Sequence, residues 1–361
     1  MKTLFEIARI GNLETKNRFV RSATWENMTT ETGHLTNQLY DIYETLAKAD
    51  IGLIITGYAN VVPEEKPNPG MFGIYDDSFI PEYQRLTDSV HQYGSKIILQ
   101  VAYGGTKTTY NVENRVIFAP SEIAEKSTNV IGTAMTTSDI KYIIDAFSRA
   151  GKRAKDAGFD GIEIHGAHTY LINQFLSPYY NKRTDEYGGS LENRMRFLVE
   201  IYEKTREKVG KDFPIIIKLT CSEFFDDGLR FDETIQICKH LEMLGVNALE
   251  ITGNIHGKAE KMIGQQFDGY EIQKNIYFAE YAKKISSIVN IPIIIVGGIK
   301  DYDTAEHLLN NSNIEYFALS RPLLTEPQLI QRWKAGDRKK VKCIRCSSCR
   351  TNEGNFCVVF P

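Results

Sequence analysis

Two histidines and a tyrosine, His165, His168 and Tyr170, fall within six residues of GIEIHGAHTYLINQFLSPYYNKRTDEYGGSLENRMR (161–196). The spacing i, i+3, i+5 at the exit of an apolar run places two imidazoles and a phenol where they can donate hydrogen bonds or protons to a docked molecule. A lone histidine there is ordinarily accounted for by packing or by capping backbone. Three such groups together argue for a site.

Other residues of chemical interest also follow apolar runs. Gln100 precedes Tyr103-Gly104-Gly105, Lys218 lies inside PIIIKLT, and Gly297-Gly298 and Ser320-Arg321 close two further runs. A glycine pair lets backbone N–H groups approach an anion, and an arginine at a helix start adds charge to it. Taken singly, the glycines read equally well as a tight turn and Arg321 as a surface ion pair. A lysine buried in such a run needs an anionic or acceptor partner, since an unpaired buried charge is costly. A phosphate held by Gly298 and Arg321, an acceptor-rich ring, and a Tyr–His set above it describe a bound cofactor, and flavin mononucleotide (FMN) fits.

The elements that must position these residues can be read from periodicity. Eight β-branched runs recur at 18–24, 51–57, 96–102, 161–166, 214–220, 248–253, 292–298 and 316–321, mostly as continuous apolar stretches suited to strands covered on both faces. Helix-period segments alternate with them, among them TNQLYDIYETLAKA, SDIKYIIDAFSRAGKRAKDAG and FDETIQICKHLEMLG, several beginning at Asp, Ser or Thr and ending at Gly. Eightfold alternation predicts an α/β fold, a single-domain (β/α)8 TIM barrel over 1–340, whose functional groups lie at the carboxyl ends of the strands. A doubly wound sheet would want a G-x-G-x-x-G turn after the first strand, and RSATWENMTTETG has none. The connections 103–137 and 167–190 are unusually long, as site-building excursions are.

The 361 residues are 42% hydrophobic with a net charge of −3. Basic residues are scattered, which excludes nucleic acid and anionic membrane as expected partners. No run reaches signal-peptide or membrane-span character, so a cytoplasmic location is expected. Cys221 and Cys238 read as structural thiols. Cys343, Cys346, Cys349 and Cys357 crowd into a tail, 341–361, with the spacing C-x2-C-x2-C-x7-C. The first three have iron–sulfur spacing. A four-thiolate zinc site would use the same residues, and four free or redox-active thiols are the bland reading.

The motif H-G-A-H-x-Y-L-x-x-Q-F-L-S-P followed by N-x-R-x-D-x-Y-G-G-S-x-x-N-R resembles the old yellow enzyme family of FMN-dependent ene-reductases. NRFVRSATWE, LQVAYGG, IIIVGGI and LSRPLL extend the likeness over the barrel. The resemblance implies that His165 and His168 hydrogen-bond the substrate's electron-withdrawing group and that Tyr170 delivers a proton. It implies ring contacts from Gln100 and Lys218, a flank of Ala23, Thr24 and Gly57, and a phosphate site of Gly297, Gly298, Ser320 and Arg321. Two positions depart from the family pattern. A Cys or Thr near the flavin falls at Trp25 in an ungapped match or at Thr24 if the match slips by one, and Ser320 replaces a glycine. The excursion 103–137 resembles one in which a hairpin covers part of the site.

The cysteine tail resembles that of a branch containing 2,4-dienoyl-CoA reductase, 2-enoate reductase and trimethylamine dehydrogenase, where a [4Fe–4S] cluster passes electrons from a further domain to FMN. This chain ends at Pro361 without such a domain, so a cluster fed by another protein, or a structural metal, is expected, with iron–sulfur ahead of zinc. The expected activity is reduction of a C=C bond conjugated to a carbonyl or similar group in a small enone- or enoate-type molecule. NAD(P)H or a partner protein supplies the electrons, and a homo-oligomer is compatible with this reading. An amine or enoyl dehydrogenase on the same fold, or a flavin/iron–sulfur electron carrier, are the alternatives. HGAHTY argues against the amine-oxidising branch, and an electron carrier has no use for Tyr170.

Overall fold

The computed structural model describes residues 1–253 and 259–360. Each of the eight apolar runs forms one strand: β1 (Phe19–Arg21), β2 (Leu53–Ile55), β3 (Lys96–Ala102), β4 (Gly161–Gly166), β5 (Ile215–Thr220), β6 (Ala248–Thr252), β7 (Ile293–Val296) and β8 (Ile314–Leu319). Every strand pairs in parallel with its neighbour in sequence, and β8 pairs with β1, closing a (β/α)8 barrel.

The helices between them are α1 (Asn37–Lys48), α2 (Ile80–His91), α3 (Thr137–Asp156), α4 (Leu171–Leu176), α5 (Leu191–Val209), α6 (Phe231–Leu244), α7 (Ala279–Ser286) and α8 (Tyr302–Asn310), with α9 (Arg321–Thr325) and α10 (Leu329–Lys334) after β8. Local chemistry fixes their ends. Thr136 and Asp139 form a reciprocal capping box at α3, and α6 stops where Gly245 turns left-handed. Their apolar faces form the main core with the outward side chains of the strands. Phe147 of α3 is wholly buried there, and its truncation to Ala would cost about 3–5 kcal/mol.

Inside the barrel the side chains change character along its axis. At the amino end an antiparallel hairpin, Ala8–Ile10 with Leu13–Thr15, packs Ala8, Ile10 and Leu13 against Val20, Leu53, Ile98, Ile216, Ile294 and Tyr316. Toward the carboxyl end Ser22, Gln100, Glu163, Lys218 and Glu250 are buried instead. A polar floor beneath the barrel mouth is thus built by the same inward-facing periodicity as the apolar plug.

The excursion 103–137 is no hairpin. Its strands Phe118–Ala119 and Thr133–Ala134 pair in parallel, which corrects the expectation. A parallel pair needs a crossover rather than a tight turn, and 120–132 supplies one, folded on Glu125 through the Ser127 and Thr128 N–H groups. Burial pushes the Glu125 carboxyl up, but hydrogen bonds from Ser127 and the charge of Lys107 outweigh it and bring it to about 2. The tail folds back as a two-stranded antiparallel ribbon, Arg350–Thr351 with Gly354–Asn355. It docks on the β1–α1 loop, where Asn355 donates from its backbone N–H to the Glu26 carbonyl (2.7 Å) and from Nδ2 to the Trp25 carbonyl (2.6 Å). Among the described residues no helix is long and apolar enough to cross a membrane.

Candidate active site

The chain leaves β4 through an unusual turn. His168 and Thr169 both have left-handed backbones, φ 59° and 58°, and the Tyr170 N–H donates to the Ala167 carbonyl at 3.1 Å. This is the signature of a type I′ turn, which normally takes Asn-Gly. Left-handed geometry costs a non-glycine residue about 1–2 kcal/mol, so neighbours must hold it. The His168 N–H donates to Thr220 Oγ1 (3.1 Å) and the Thr169 N–H to Asn173 Oδ1 (2.8 Å). Thr169 Oγ1 donates to Glu125 Oε1 (3.1 Å), in the crossover. The turn brings the predicted trio together. Tyr170 stacks on His165 with ring centroids 4.6 Å apart, and His168 meets His165 edge-on at 5.2 Å.

Burial fixes the protons on this trio. It pushes the His165 imidazole well below its ordinary value, aided by His168 and Lys218. It also takes His168 down to about 3, with Lys218 adding to the effect. Both rings are therefore neutral at pH 7, each with one donor and one acceptor nitrogen. His165 Nδ1 accepts the Ala167 N–H (3.3 Å), which leaves its proton on Nε2. His168 Nε2 meets Thr252 Oγ1 at 3.1 Å. Burial, and then the neighbouring Tyr58, raise the Tyr170 phenol well above its usual value, and its hydroxyl is hydrogen-bonded to Tyr58. Asn68 Nδ2 in turn donates to the Tyr58 hydroxyl (2.6 Å), so the Tyr170 hydroxyl is oriented by a relay.

Below the trio, Lys218 Nζ lies 3.0 Å from Glu250 Oε1 and 3.2 Å from Ser22 Oγ, which itself donates to Glu250 (2.7 Å). The acceptor that a buried Lys218 requires is thus the adjacent strand's carboxylate. Burial, followed by the charge of Glu250, drives the Glu163 carboxyl well above its normal range. Burial also pushes Glu250 up, but Lys218 and the hydrogen bond from Glu163 outweigh it and hold Glu250 ionised. Gln100 Nε2 donates to Glu163. The floor is electrically neutral: one ammonium, one carboxylate and one protonated carboxyl.

On the other side of the mouth, Gly297 and Gly298 follow β7 with φ 109° and 83°. A Cβ on Gly298 would come within 3.1 Å of the Ile276 and Tyr277 backbone nitrogens, so both its conformation and its space demand glycine. These glycines, Lys300, Ser320, Arg321 and Arg345 line one cavity. Thr24 Oγ1 and Ser320 Oγ meet at 2.7 Å, tying the exits of β1 and β8, whereas the Trp25 indole turns to the Pro69 carbonyl (2.8 Å). The Gly57 N–H donates to the Tyr43 hydroxyl (2.8 Å), and Ala23 is half-buried beside the barrel interior. The arrangement fits a flavin nucleotide. The buried Gln100 Oε1 has no partner, and the glycine–arginine cradle is shaped and charged for a phosphate.

All four tail cysteines line a second cavity, with Thr325, Arg345 and Phe360. Cys357 Sγ accepts the Phe360 N–H at 3.4 Å. Burial, then the other three thiols, raises the Cys349 thiol, while hydrogen bonds from Ser348 lower that of Cys346. Among the described residues no group of three or more His, Cys, Asp or Glu side chains stands at metal-site separation. Sequence reasoning missed Tyr58, Glu163, Glu250 and Arg345. Tyr58 directly follows the run 51–57, and polarity inside an apolar run was the available signal for the two glutamates.

A cofactor-using (β/α)8 barrel with donors after β4 and an anion cradle after β7 and β8 is the class that fold and site define. The chain matches the model of the NADH:flavin oxidoreductase / NADH oxidase family over residues 3–340, and it belongs to that family. It is 36% identical to an NADH oxidase of Thermoanaerobacter brockii over 95% of its length and 52% of that protein's. Among solved structures it resembles 2-naphthoyl-CoA reductase (TM-score 0.87, 25% identity, 94% of this chain and 53% of that one). It also resembles morphinone reductase in complex with tetrahydroNAD (TM-score 0.80, 25% identity, 94% and 92%). The chain spans about half the length of the curated relatives it matches.

Proposed function

We propose that the protein is an FMN-dependent oxidoreductase that reduces a C=C bond conjugated to a carbonyl or similar electron-withdrawing group. The observation that carries this reading is the trio itself: two neutral imidazoles, one buried and one half-buried, packed beside one protonated, oriented phenol. FMN would be held by Gly297, Gly298, Ser320 and Arg321 at its phosphate, by Ala23, Thr24 and Gly57 along its flank, and by Gln100 and Lys218 at its ring. The chemistry it supplies is hydride delivery to the carbon β to the activating group.

The chain's own residues do the rest. As negative charge builds on the substrate oxygen, His165 and His168 offer preorganised N–H donors without first losing a proton, and such donors act most strongly where water is excluded. Tyr170 gives its proton to the α carbon. Tyr58, hydrogen-bonded to the same hydroxyl, keeps that proton pointed in a fixed direction. The excursion 103–137 and the turn after β4 lock together through Glu125 and Thr169.

Cys343, Cys346, Cys349 and Cys357 are proposed to hold a [4Fe–4S] cluster in preference to zinc. NAD(P)H or an electron-donor protein is the proposed reductant, and the cytoplasm the proposed location. Protein purified without oxygen should show flavin absorption bands, with a broad iron–sulfur shoulder if the tail holds a cluster. Absence of the flavin bands after reconstitution with FMN would sink the reading. Enone reduction lost in Tyr170→Phe, with flavin reduction intact, is the outcome that supports the assigned acid.

A further inference from the structure

One wall of the phosphate cradle comes from outside the barrel. Val341, Cys343 and Arg345 of the tail line the same cavity as Gly297, Gly298 and Arg321. Arg345 donates from Nη2 to the Gly298 carbonyl at 2.8 Å. Its guanidinium lies over the Tyr277 ring, 4.7 Å from the centroid, and the Tyr277 N–H bonds the Gly297 carbonyl (3.0 Å). The cation is therefore anchored to both glycines of the cradle, directly or through one residue. Arg345 also has a left-handed backbone, φ 61°, a conformation a long side chain adopts only where its surroundings demand it. Arg345 and Cys343 line the cysteine cavity as well, so the two cavities share a wall.

We infer that Arg345 is a phosphate-binding residue for the cofactor, supplied by the cysteine tail. The inference rests on the flavin reading above. A phosphate monoester carries about −1.5 to −2 charges at pH 7, more than a single guanidinium offsets, and Lys300 and Arg345 line the cavity with Arg321. A second guanidinium, planar and stacked on Tyr277, is the group suited to a neighbouring pair of phosphate oxygens. Strand order has long placed such an anion at β7 and β8; here a segment beyond the barrel helps to complete the site.

The test compares FMN with riboflavin, which lacks the phosphate. After the bound flavin is exchanged out, each is titrated into wild-type protein and Arg345→Ala by flavin fluorescence. The expected result is FMN affinity about thirtyfold weaker, equivalent to about 2 kcal/mol at 1.4 kcal/mol per decade, with riboflavin affinity unchanged. Equal losses for both flavins would mark a packing role and overturn the inference, as would no loss for either. Arg345→Met keeps the bulk on Tyr277 without the charge. It should show the same selective loss and serves if the alanine variant does not fold. Wild-type protein that binds neither flavin would overturn the flavin reading itself, an outcome distinct from an unchanged FMN-to-riboflavin ratio in the variants.

Discussion

The β4 exit and the cysteine tail each gather reactive side chains within a few residues, but their surroundings differ. At the β4 exit a left-handed two-residue turn is held by side chains from β5, α4 and the crossover, and burial decides every proton. In the tail Cys346 is exposed, Cys343 and Cys349 are half-buried and only Cys357 is buried. Around them Ile344, Val358 and Val359 remain 64%, 48% and 41% exposed. The contrast follows from the chemistry. Donors for a developing charge must be in place before the reaction, because reorganising them would consume the stabilisation they give. Thiolates can be gathered by the ion they bind, whose binding free energy then becomes local folding energy.

The sharpest way to break this comparison is at Tyr170. If the phenol is the preorganised acid, Tyr170→Phe should lower enone turnover by about 10²–10⁴-fold, the range for general acid catalysis, while reduction of bound flavin by NAD(P)H is unchanged in stopped-flow. An equal fall in both half-reactions would make Tyr170 a packing residue. Next in size is the floor. Lys218→Met removes the cation between Ser22 and Glu250 and leaves Glu250 beside Glu163 without it. Breaking a buried pair costs about 3–5 kcal/mol, read as a lower urea midpoint of the flavin-free protein. No shift would mean that the floor is hydrated and not preorganised.

The imidazoles make a pH prediction. The folded-state value of His168 is depressed to about 3 from about 6.5 in the unfolded chain. The folded state therefore binds fewer protons between those values, and its stability is full above pH 6.5 and falls as pH drops toward 3. Between pH 7 and 5 this one group accounts for about 2 kcal/mol, by linkage with an unfolded value near 6.5. His168→Asn should be correspondingly less acid-sensitive in chemical unfolding, and wild-type turnover should show no inflection near pH 6.5. An inflection there would mean that the imidazoles work as cations.

How much of this was legible depended on whether the signal was local. The eight strands and most of the helices follow from continuous apolar runs and capped 3.6 periodicity, and His165, His168 and Tyr170 announced themselves by type and spacing. The protonation of Glu163 was not legible, since it arises from burial and from the charge of Glu250, on a strand 87 residues further along the chain. The sharp turn at His168-Thr169 carries no glycine to mark it, because distant side chains rather than local preference enforce it. The parallel pairing within 103–137 was equally hidden, since two-residue strands carry no periodicity. The role of Arg345 depends on the tail folding back over β7, a contact between segments that no local pattern encodes.

The smallest expected effect separates the two regions most directly. Cys346 is the exposed member of its set and is surrounded by tail residues rather than barrel core, so Cys346→Ser should change the barrel's unfolding free energy by less than about 0.5 kcal/mol, as for surface substitutions. Its consequence should be local: loss of any bound iron or zinc, faster proteolysis within 341–360, and weaker retention of FMN relative to riboflavin, because the cysteine cavity shares Cys343 and Arg345 with the phosphate cradle. If the variant instead lowers the barrel's midpoint as much as Lys218→Met does, the tail is part of the barrel's cooperative unit and the contrast between the two sites fails. If proteolysis and metal content change while flavin selectivity does not, the tail folds around its ligand but leaves Arg345 in place without it.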